Sequence, residues 1–321
     1  MAATDWKKSY NTFRFNEARM KWSTVRKGYG ALGLLFGALS LFFGGAQACF
    51  GAEPLIVRHT AMVNADDVRS QYYIDLLRLA LEKTRESMGD FEIQGTTQMN
   101  QSLAVHNLSQ DLWIDVLWTM TSIEREEKLL PIRIPLLKGL LGHRIFIIRK
   151  ADKEAFAKIN TLEELKRFSA GQGHDWPDTA ILSANGFQVT TASTYAGLFD
   201  MLQMERFDFF PRGVNEPWTE VIKHADKDLI VEPTLMLYYP APTYFFVNKN
   251  NTALAHRIET GLKMAIADGS FDALFRNHPA NRPIFGQANL AGRKTFTLRN
   301  PLLPPETPLD VPEYWYSAKG K

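Results

Sequence analysis

The chain has 321 residues, of which 45% are hydrophobic and 22% are charged, and its formal net charge is +2. This composition indicates a globular protein, and a charge so close to zero argues against a nucleic-acid partner. The only cysteine is Cys49, so the sequence excludes an internal disulfide and a thiolate metal site.

The first element along the chain is an apolar run at residues 31–43. A basic segment at 21–27 precedes it, and the small-x-small pattern Ala46-Gln47-Ala48 follows it. This order is typical of a secretory signal peptide, and the run is shorter than the ~20 apolar residues that a membrane span needs. We therefore expect residues 1–52 to be a leader and the mature protein to be periplasmic.

More than one start and cleavage point fits this leader. Met20 would open a signal peptide of ordinary length, so we expect it to be the true start and residues 1–19 to be an extension. Cleavage after Ala48 fits the Ala-x-Ala rule. One alternative is a lipoprotein with its lipid on the Cys49 sulfur, and another is an uncleaved anchor. Both alternatives also leave the rest of the chain outside the cytoplasm.

Strands and helices alternate after residue 54. The apolar run at 55–58 predicts a strand, and Asp66-Asp67 offers a cap for a helix that continues to Gly89 with apolar residues at helical spacing. The pattern then predicts, in order, a strand at 91–93, a short helix at 98–108, a strand at 114–118 and a strongly apolar strand at 142–150.

The second half of the chain continues this alternation. Thr161 and Glu164 form a capping-box pattern that begins a helix. Further helices are predicted at 179–185, 192–204, 217–224, 251–267 and 271–277, and strands at 207–210, 229–231 and 243–247. The alternation favours an α/β fold with parallel strands, and the roughly 270 residues beyond the leader are enough for two lobes.

Four stretches of the chain together resemble one protein family. They are Thr119-Met120-Thr121-Ser122-Ile123-Glu124-Arg125 with Leu130-Pro131-Ile132 and the strand at 142–150, Thr161-Leu162-Glu163-Glu164-Leu165 with Gly171-Gln172-Gly173, residues 195–208, and the Ala-x-Ala-Asp-Gly-Ser-Phe pattern within 265–274. In this order, behind an export signal, they resemble the periplasmic solute-binding proteins of the polar amino-acid type (solute-binding family 3). The resemblance covers residues 55 to about 277.

The resemblance implies a two-lobed α/β clamp of the type II periplasmic binding fold, in which two crossover strands join the lobes. Lobe 1 would contain residues 53–146 and 244–290, lobe 2 residues 147–243, and the Pro-rich residues 291–321 would be a C-terminal extension. It also implies a monomer without a cofactor. Such a protein binds a small polar or acidic solute, amino-acid-like or carboxylate, and delivers it to an inner-membrane ABC importer.

The same resemblance places the solute's carboxylate at Arg125, which would hold it by a two-pronged, charge-assisted contact. Thr119 and Thr121 lie on the same approach and could donate hydroxyl groups, and Trp118 could stack on the solute. Two simpler interpretations stay open. Arg125 could be a surface charge facing the neighbouring glutamates, and Trp118 could be a core side chain.

The sequence departs from the family at the second wall of the site. Amino-acid binders of this type usually place an aspartate for the solute's ammonium group where this chain reads 209–216, with Arg212 and Glu216. Two arginines, Arg125 and Arg212, would suit a dianionic or otherwise acidic solute better than a zwitterion. Alternatively Glu216 reaches into the site and Arg212 pairs with it, or Arg212 is a turn residue in solvent.

Two further segments are candidates for the cleft. Backbone N–H groups of the glycine-containing segment 171–175, including Gly173, could form an anion cradle at a turn before a helix, although glycines there also simply form turns. The aromatic run at 238–246 could line the cleft, or it could be core between the lobes.

No catalytic or metal-binding motif is present: Gly-x-Ser-x-Gly and His-Glu-x-x-His are both absent, and the neighbours His174 and Asp175 fit a solvated turn better than a metal site. We therefore expect a binding module and not an enzyme. One alternative is a ligand-sensing module that serves a separate membrane signalling protein. A further alternative is an enzyme built on the same clamp, because fold does not determine function.

Overall fold

The computed structural model describes residues 53–62 and 67–317. The predicted leader at 1–52, with its cleavage site and Cys49, lies outside the described residues, so its role stays a prediction. The described residues belong to one compact unit. None of their helices is long and apolar enough to cross a membrane.

Twelve strands occur in the described residues. They are β1 (Leu55–His59), β2 (Phe91–Gly95), β3 (Leu117–Met120), β4 (Leu129–Ile132), β5 (His143–Arg149), β6 (Ala170–Gly173), β7 (Val189–Ala192), β8 (Phe209–Gly213), β9 (Leu229–Val231), β10 (Leu235–Tyr238), β11 (Thr243–Asn248) and β12 (Lys294–Thr297). β1 and β2 form a parallel pair, and β3, β11 and β4 form an antiparallel sheet in that order. The other seven form one large mixed sheet, ordered β12-β10-β5-β8-β6-β7, in which β9 also pairs with β5.

Helices connect most of these strands. They are α1 (Val68–Lys83), α2 (Arg85–Met88), α3 (Gln101–Ser109), α4 (Ile123–Lys128), α5 (Lys153–Ala157), α6 (Leu162–Leu165), α7 (Pro177–Ala184), α8 (Tyr195–Gln203), α9 (Pro217–Lys223), α10 (Thr252–Ala267), α11 (Ser270–Asn277) and α12 (Arg282–Gly286). The α/β fold class predicted from the alternating pattern is confirmed.

The chain passes three times between the small sheets and the large sheet, the third time on its way to β12. It leaves β4 for β5 of the large sheet, and it returns from β10 to β11 of the antiparallel sheet. β5 and β11 coincide with the two apolar runs at 142–150 and 243–247, and both strands are almost wholly buried. The residue limits of the two lobes stay a prediction.

The last strand, β12, lies in the residues predicted to be a C-terminal extension. It pairs in parallel with β10, so that Leu235 lies opposite Lys294 and Tyr238 opposite Thr297. The extension therefore adds an edge strand to the large sheet.

The structure confines the glycine turn predicted at 171–175 to residues 174 and 175. Residues 170–173 form the strand β6, which pairs in parallel with β7 and is buried along its length. Aromatic rings cover the two glycines: a Cβ on Gly171 would lie 2.2 Å from the ring of Phe207, and one on Gly173 would lie 2.5 Å from the ring of Trp176. Close packing, and not a turn, explains why glycine stands at both positions.

Helices α1 and α10 pack closely in the largest core cluster. Side-chain caps fix where each helix begins, because Asp67 accepts the amide of Ser70 and Asn251 accepts the amide of Leu254. Gly261 of α10 makes the close approach possible. A Cβ at this position would lie 1.9 Å from the carbonyl oxygen of Ala80 in α1.

Replacing Gly261 with alanine is expected to lower the free energy of unfolding by about 1–3 kcal/mol, because the added methyl group forces the two helices apart. This loss outweighs the ~1 kcal/mol that alanine gains in helix propensity. Gly286→Ala in α12 is the matched control, because no atom lies within 4 Å of its Cβ position. Denaturant unfolding measures both variants, and a Gly261→Ala protein as stable as the wild type would contradict the close approach.

Candidate functional site

Arg125 is the buried residue of α4, a helix that follows the end of β3 directly. The hydroxyl of Ser122 accepts the backbone amide of Arg125 and so begins the helix. The side chain folds back on the strand, and Nη1 donates to Thr119 Oγ1 and to the carbonyl oxygen of Met120, both at 2.7 Å. Nη2 donates to Gln101 Oε1 of α3, also at 2.7 Å. Arg125 is only 7% exposed, so it is not the surface charge of the simpler interpretation.

These contacts use one particular part of the Arg125 guanidinium. The group has five N–H donors, and the three hydrogen bonds above take both donors of Nη1 and one of Nη2. Thr119 Oγ1 and Gln101 Oε1 lie 3.4 Å apart, side by side at the end formed by the two terminal nitrogens. The donors left over are Nε–H and one N–H of Nη2. We call this pair the side edge of Arg125.

The side edge is the part of a guanidinium that this chain uses elsewhere for carboxylates. Arg58 holds Asp115 through Nε at 2.8 Å and Nη2 at 2.7 Å. Arg212 holds Glu220 through Nε at 2.9 Å and Nη2 at 2.7 Å. Within the described residues Arg125 forms no ion pair and gives its side edge to no carboxylate. The two-pronged contact predicted from the sequence therefore has the donors that it requires.

The electrostatics of Arg125 differ from those of the arginines nearby. Burial lowers the pKa of Arg125 to about 10, and the carboxylates of Asp178 and Asp175 offset only part of this effect. Burial also acts on Arg144 and Arg212, but the carboxylates beside them outweigh it and raise the pKa of both. Of these three arginines, Arg125 is the one whose positive charge the chain itself compensates least.

The other residues predicted on the first wall lie beside Arg125. The Thr119 hydroxyl is the acceptor already described, while the buried Thr121 hydroxyl donates to Glu126 Oε1 at 2.6 Å. Trp118 stacks on Tyr73, with ring centroids 5.5 Å apart and planes 18° apart. The core-packing interpretation of Trp118 therefore has direct support. A solute contact by Thr121 or Trp118 stays a prediction.

Arg212 on the second wall is paired with two glutamates. It lies in β8, not in a turn, and is 6% exposed. Besides the two-pronged contact with Glu220, its Nη2 lies 3.1 Å from Glu216 Oε2. The rings of Phe210 and Trp176 cover the guanidinium at 4.8 and 5.0 Å. Arg212 therefore pairs with Glu216 and does not lie in a solvent turn. A contact from Arg212 or Glu216 to the solute stays a prediction.

Arg212, Glu216 and Glu220 form a group that we call the Arg212 cluster. Glu220 is its centre, and sequence reasoning missed this residue. Its carboxylate is 1% exposed, and it also accepts Tyr195 Oη at 2.6 Å and Arg69 Nη1 at 2.7 Å. Burial alone would raise the pKa of Glu220, but Arg212 and Arg69 outweigh it and lower the pKa to about 2. One signal was available: Glu216 and Glu220 are four residues apart at the start of a predicted helix that follows Arg212.

A third polar group connects the two crossover segments, and it was also missed. Arg144 at the start of β5 lies 2.7 Å from Asp178 of α7, and its guanidinium lies 5.5 Å from the ring centre of Tyr239. The Tyr239 hydroxyl donates to Asp178. All three residues are buried. Most of the aromatic run at 238–246 is buried core, which supports the interpretation of that run as packing.

The segment 171–175 offers less to a solute than the sequence suggests. The carbonyl oxygen of Gly173 accepts Thr179 Oγ1 at 2.8 Å, and Asp175 accepts the amide and the hydroxyl of Ser102 at 3.3 and 3.2 Å. Residues 171–173 are strand and 174–175 form a turn before α7, and a contact from Gly173 or the backbone N–H groups of this segment to the solute stays a prediction. In the described residues no group of His, Cys, Asp and Glu side chains could hold a metal ion.

Of the comparisons with known proteins, only the one with solved structures finds a match. No family model and no curated protein matches the chain. Among solved structures, a histidine kinase sensor domain with similarity to periplasmic binding proteins matches with a TM-score of 0.53 and 16% identity, over 71% of this chain and 96% of that chain. A Salmonella typhimurium periplasmic binding protein with high arginine specificity matches with a TM-score of 0.52 and 16% identity, over 70% and 97%.

A third structure agrees with these two. It is a putative binding component of an ABC transporter from Wolinella succinogenes in complex with lysine, and it matches with a TM-score of 0.52 and 12% identity, over 70% of this chain and 94% of that chain. At these identities the likeness shows the fold alone. The chain has the two-lobed α/β clamp fold of the periplasmic binding proteins, as the sequence predicted.

Proposed function

We propose that this chain is an exported, monomeric solute-binding protein that holds a small carboxylate-bearing solute and delivers it to an ABC importer. The observation that supports this function best is Arg125: a buried arginine with a side edge that no described carboxylate takes and a pKa lowered by burial. A solute carboxylate on that edge would form two charge-assisted hydrogen bonds and compensate the charge. No cofactor and no catalysis are part of the proposal.

The division into lobes belongs to this proposal. Lobe 1 would be residues 53–146 and 244–290, and lobe 2 residues 147–243. Sheet membership supports it in outline, because β1 to β4 and β11 lie in the small sheets and β5 to β10 lie in the large sheet, with the limit at residue 146 falling inside β5. β12 is the exception, since it returns to the large sheet. Closure of the lobes would bring Arg125 and the Arg212 cluster to opposite walls of one cleft.

A sensor for a separate membrane signalling protein is the second candidate. One of the matching structures is a histidine kinase sensor domain, so the same fold serves this purpose elsewhere. Genes beside this one distinguish the two candidates, because a permease and an ATPase gene favour transport, whereas a membrane kinase or cyclase gene favours sensing.

A thermal-shift screen tests the proposed function. The mature protein is mixed with amino acids, hydroxy acids, dicarboxylates and small peptides, and a ligand at 100 times its Kd should add about 2.7 kcal/mol to the free energy of unfolding. Each hit is repeated with Arg125→Lys, which keeps the charge but loses the side edge. Hits that survive this replacement unchanged, or a screen in which no carboxylate raises the melting temperature, would contradict the proposal.

Export is a separate prediction. Mass spectrometry of the protein from a periplasmic extract is expected to show a mature start at or shortly after Cys49, because the apolar run and the Ala-x-Ala pattern end there. A diacylated Cys49 would support the lipoprotein alternative. Full-length protein recovered only from the cytosol would contradict export.

A further inference from the structure

The Arg212 cluster contains more negative than positive charge until Arg69 is added. Glu216 and Glu220 supply two carboxylates, and Arg212 supplies one guanidinium. Arg69 supplies the second guanidinium, with Nη1 at 2.7 Å from Glu220 Oε1 and 3.5 Å from Glu216 Oε1. The cluster is neutral only because of this residue, which lies about 150 positions earlier in the chain.

Arg69 comes from a different part of the fold than the acids that it contacts. It is the second residue of α1, which packs against α10, whereas Glu220 lies in α9, which packs against β5 and β9 of the large sheet. A cation in the first turn of a helix is unfavourable, because the amino end of the helix dipole is positive. The helix itself therefore gives no reason for an arginine at this position. The contacts with Glu216 and Glu220 explain why an arginine stands there.

Donors from the chain occupy both oxygens of Glu220 and one oxygen of Glu216, whose Oε1 lies 3.5 Å from Arg69 Nη1. Glu220 Oε1 accepts from Arg69, Arg212 and Tyr195, and Oε2 accepts from Arg212 Nε. Glu216 Oε2 accepts the backbone amide of Gly213 at 2.7 Å. A carboxylate has about four acceptor positions, so Glu220 has none left for a further cation.

The two other acids of this region are occupied in the same way. Asp178 faces Arg144 and accepts the Tyr239 hydroxyl, and Asp175 accepts the amide and hydroxyl of Ser102. Each of these four acids therefore has donors from its own chain. Arg125, by contrast, donates only to a hydroxyl, a backbone carbonyl and an amide oxygen and forms no ion pair within the described residues.

We propose that Arg69 sets the charge class of the solute: it supplies Glu216 and Glu220 with a cation of the protein's own, so that the cleft accepts a carboxylate that carries no ammonium group. The inference rests on the proposed function, in which Arg125 and the Arg212 cluster are the two walls of the cleft. An α-ammonium group between these walls would meet guanidinium groups, and Glu216 and Glu220 are already paired with Arg212 and Arg69. Such a buried, unpaired charge is strongly disfavoured.

The test uses matched pairs of ligands that differ only in the group on the second carbon: L-alanine and L-lactate, L-leucine and its 2-hydroxy acid, and L-glutamate and its 2-hydroxy acid. Calorimetry of the mature protein gives the Kd ratio within each pair. For every pair that binds, we expect the hydroxy acid to bind about tenfold more tightly or better. Arg69→Ala is expected to move this ratio towards the amino acid by at least about tenfold, because Glu220 then has room for the ammonium group.

Two variants control for charge and folding. Arg69→Lys keeps a cation near Glu220 and is expected to keep the wild-type ratio. Arg85→Ala removes an exposed arginine beyond the other end of α1, where it pairs with Glu82 and Asp90. It changes the net charge by the same amount and is expected to leave the ratio unchanged. Melting curves show whether each variant folds.

The possible failures are distinguishable. If the wild type binds amino acids as tightly as their hydroxy acids and Arg125→Ala abolishes that binding, the inference is wrong while the proposed function stands. The wild-type ratio alone decides this even where Arg69→Ala does not fold. If Arg69→Ala folds and its Kd ratio within each ligand pair equals that of the wild type, Arg69 does not set the charge class of the solute. If no carboxylate binds to the wild type at all, the proposed function fails, and the inference fails with it.

Discussion

Replacing Arg125 with alanine is expected to weaken binding of the identified solute by about 3 kcal/mol or more, because the solute carboxylate would then be buried without its charged partner. Arg125→Lys is expected to bind nearly as poorly, since an ammonium group cannot reproduce a two-pronged contact. Calorimetry of both variants measures the loss. Wild-type affinity in Arg125→Ala would show that the solute carboxylate lies elsewhere.

The alanine variant is also expected to be less stable, which needs a control. Removal of the guanidinium leaves the acceptors on Thr119, Met120 and Gln101 without their donor, at a cost of about 1–3 kcal/mol. Arg257→Ala is the matched variant. Arg257 is likewise buried, and it donates to Thr84 Oγ1 and to the carbonyl oxygens of Met88 and Gly89. It should lose similar stability without losing affinity.

The parts of the fold that the sequence predicted correctly are those with strong local patterns. The apolar run of β5 and the helical spacing of α10 identify both elements, and their observed limits differ from the predicted ones by only one residue at either end. Short or unusual strands were missed. β6 reads Ala-Gly-Gln-Gly, a sequence with little strand propensity, and forms because β7 pairs with it and aromatic rings cover its glycines.

The sequence predicted the part of the candidate site whose contacts are local, and it missed the part whose contacts are long-range. Arg125 and its acceptor Thr119 lie six residues apart, within one local motif, and the structure does place them in contact. The environment of Arg212 depends on long-range partners instead. Arg69 reaches the same glutamate from a distant helix, and no local pattern shows this meeting. The charge of the second wall therefore could not be derived from the residues around Arg212.

Removing Glu220 is expected to destabilise the protein more than any other single change in the cluster. Glu220→Ala leaves the Arg212 and Arg69 guanidinium groups without their main carboxylate in a buried environment, and we expect a loss of about 3–5 kcal/mol at neutral pH. Glu216→Ala is the matched control. That side chain is 17% exposed and its contacts with the two arginines are longer, at 3.1 and 3.5 Å, so a smaller loss is expected.

A double variant and a change of pH show whether the lost stability comes from unpaired charge. Arg212→Met combined with Glu220→Leu removes both members of the pair, so it should lose less stability than Glu220→Ala alone. The pKa of Glu220 is lowered from 4.5 to about 2 in the fold, so its contribution is complete above 4.5 and is lost as the pH falls towards 2. The difference in unfolding free energy between the wild type and Glu220→Ala should therefore shrink over that interval in denaturant titrations. A difference that stays constant down to the lower pH would mean that the variant loses packing, and not the charge of the carboxylate.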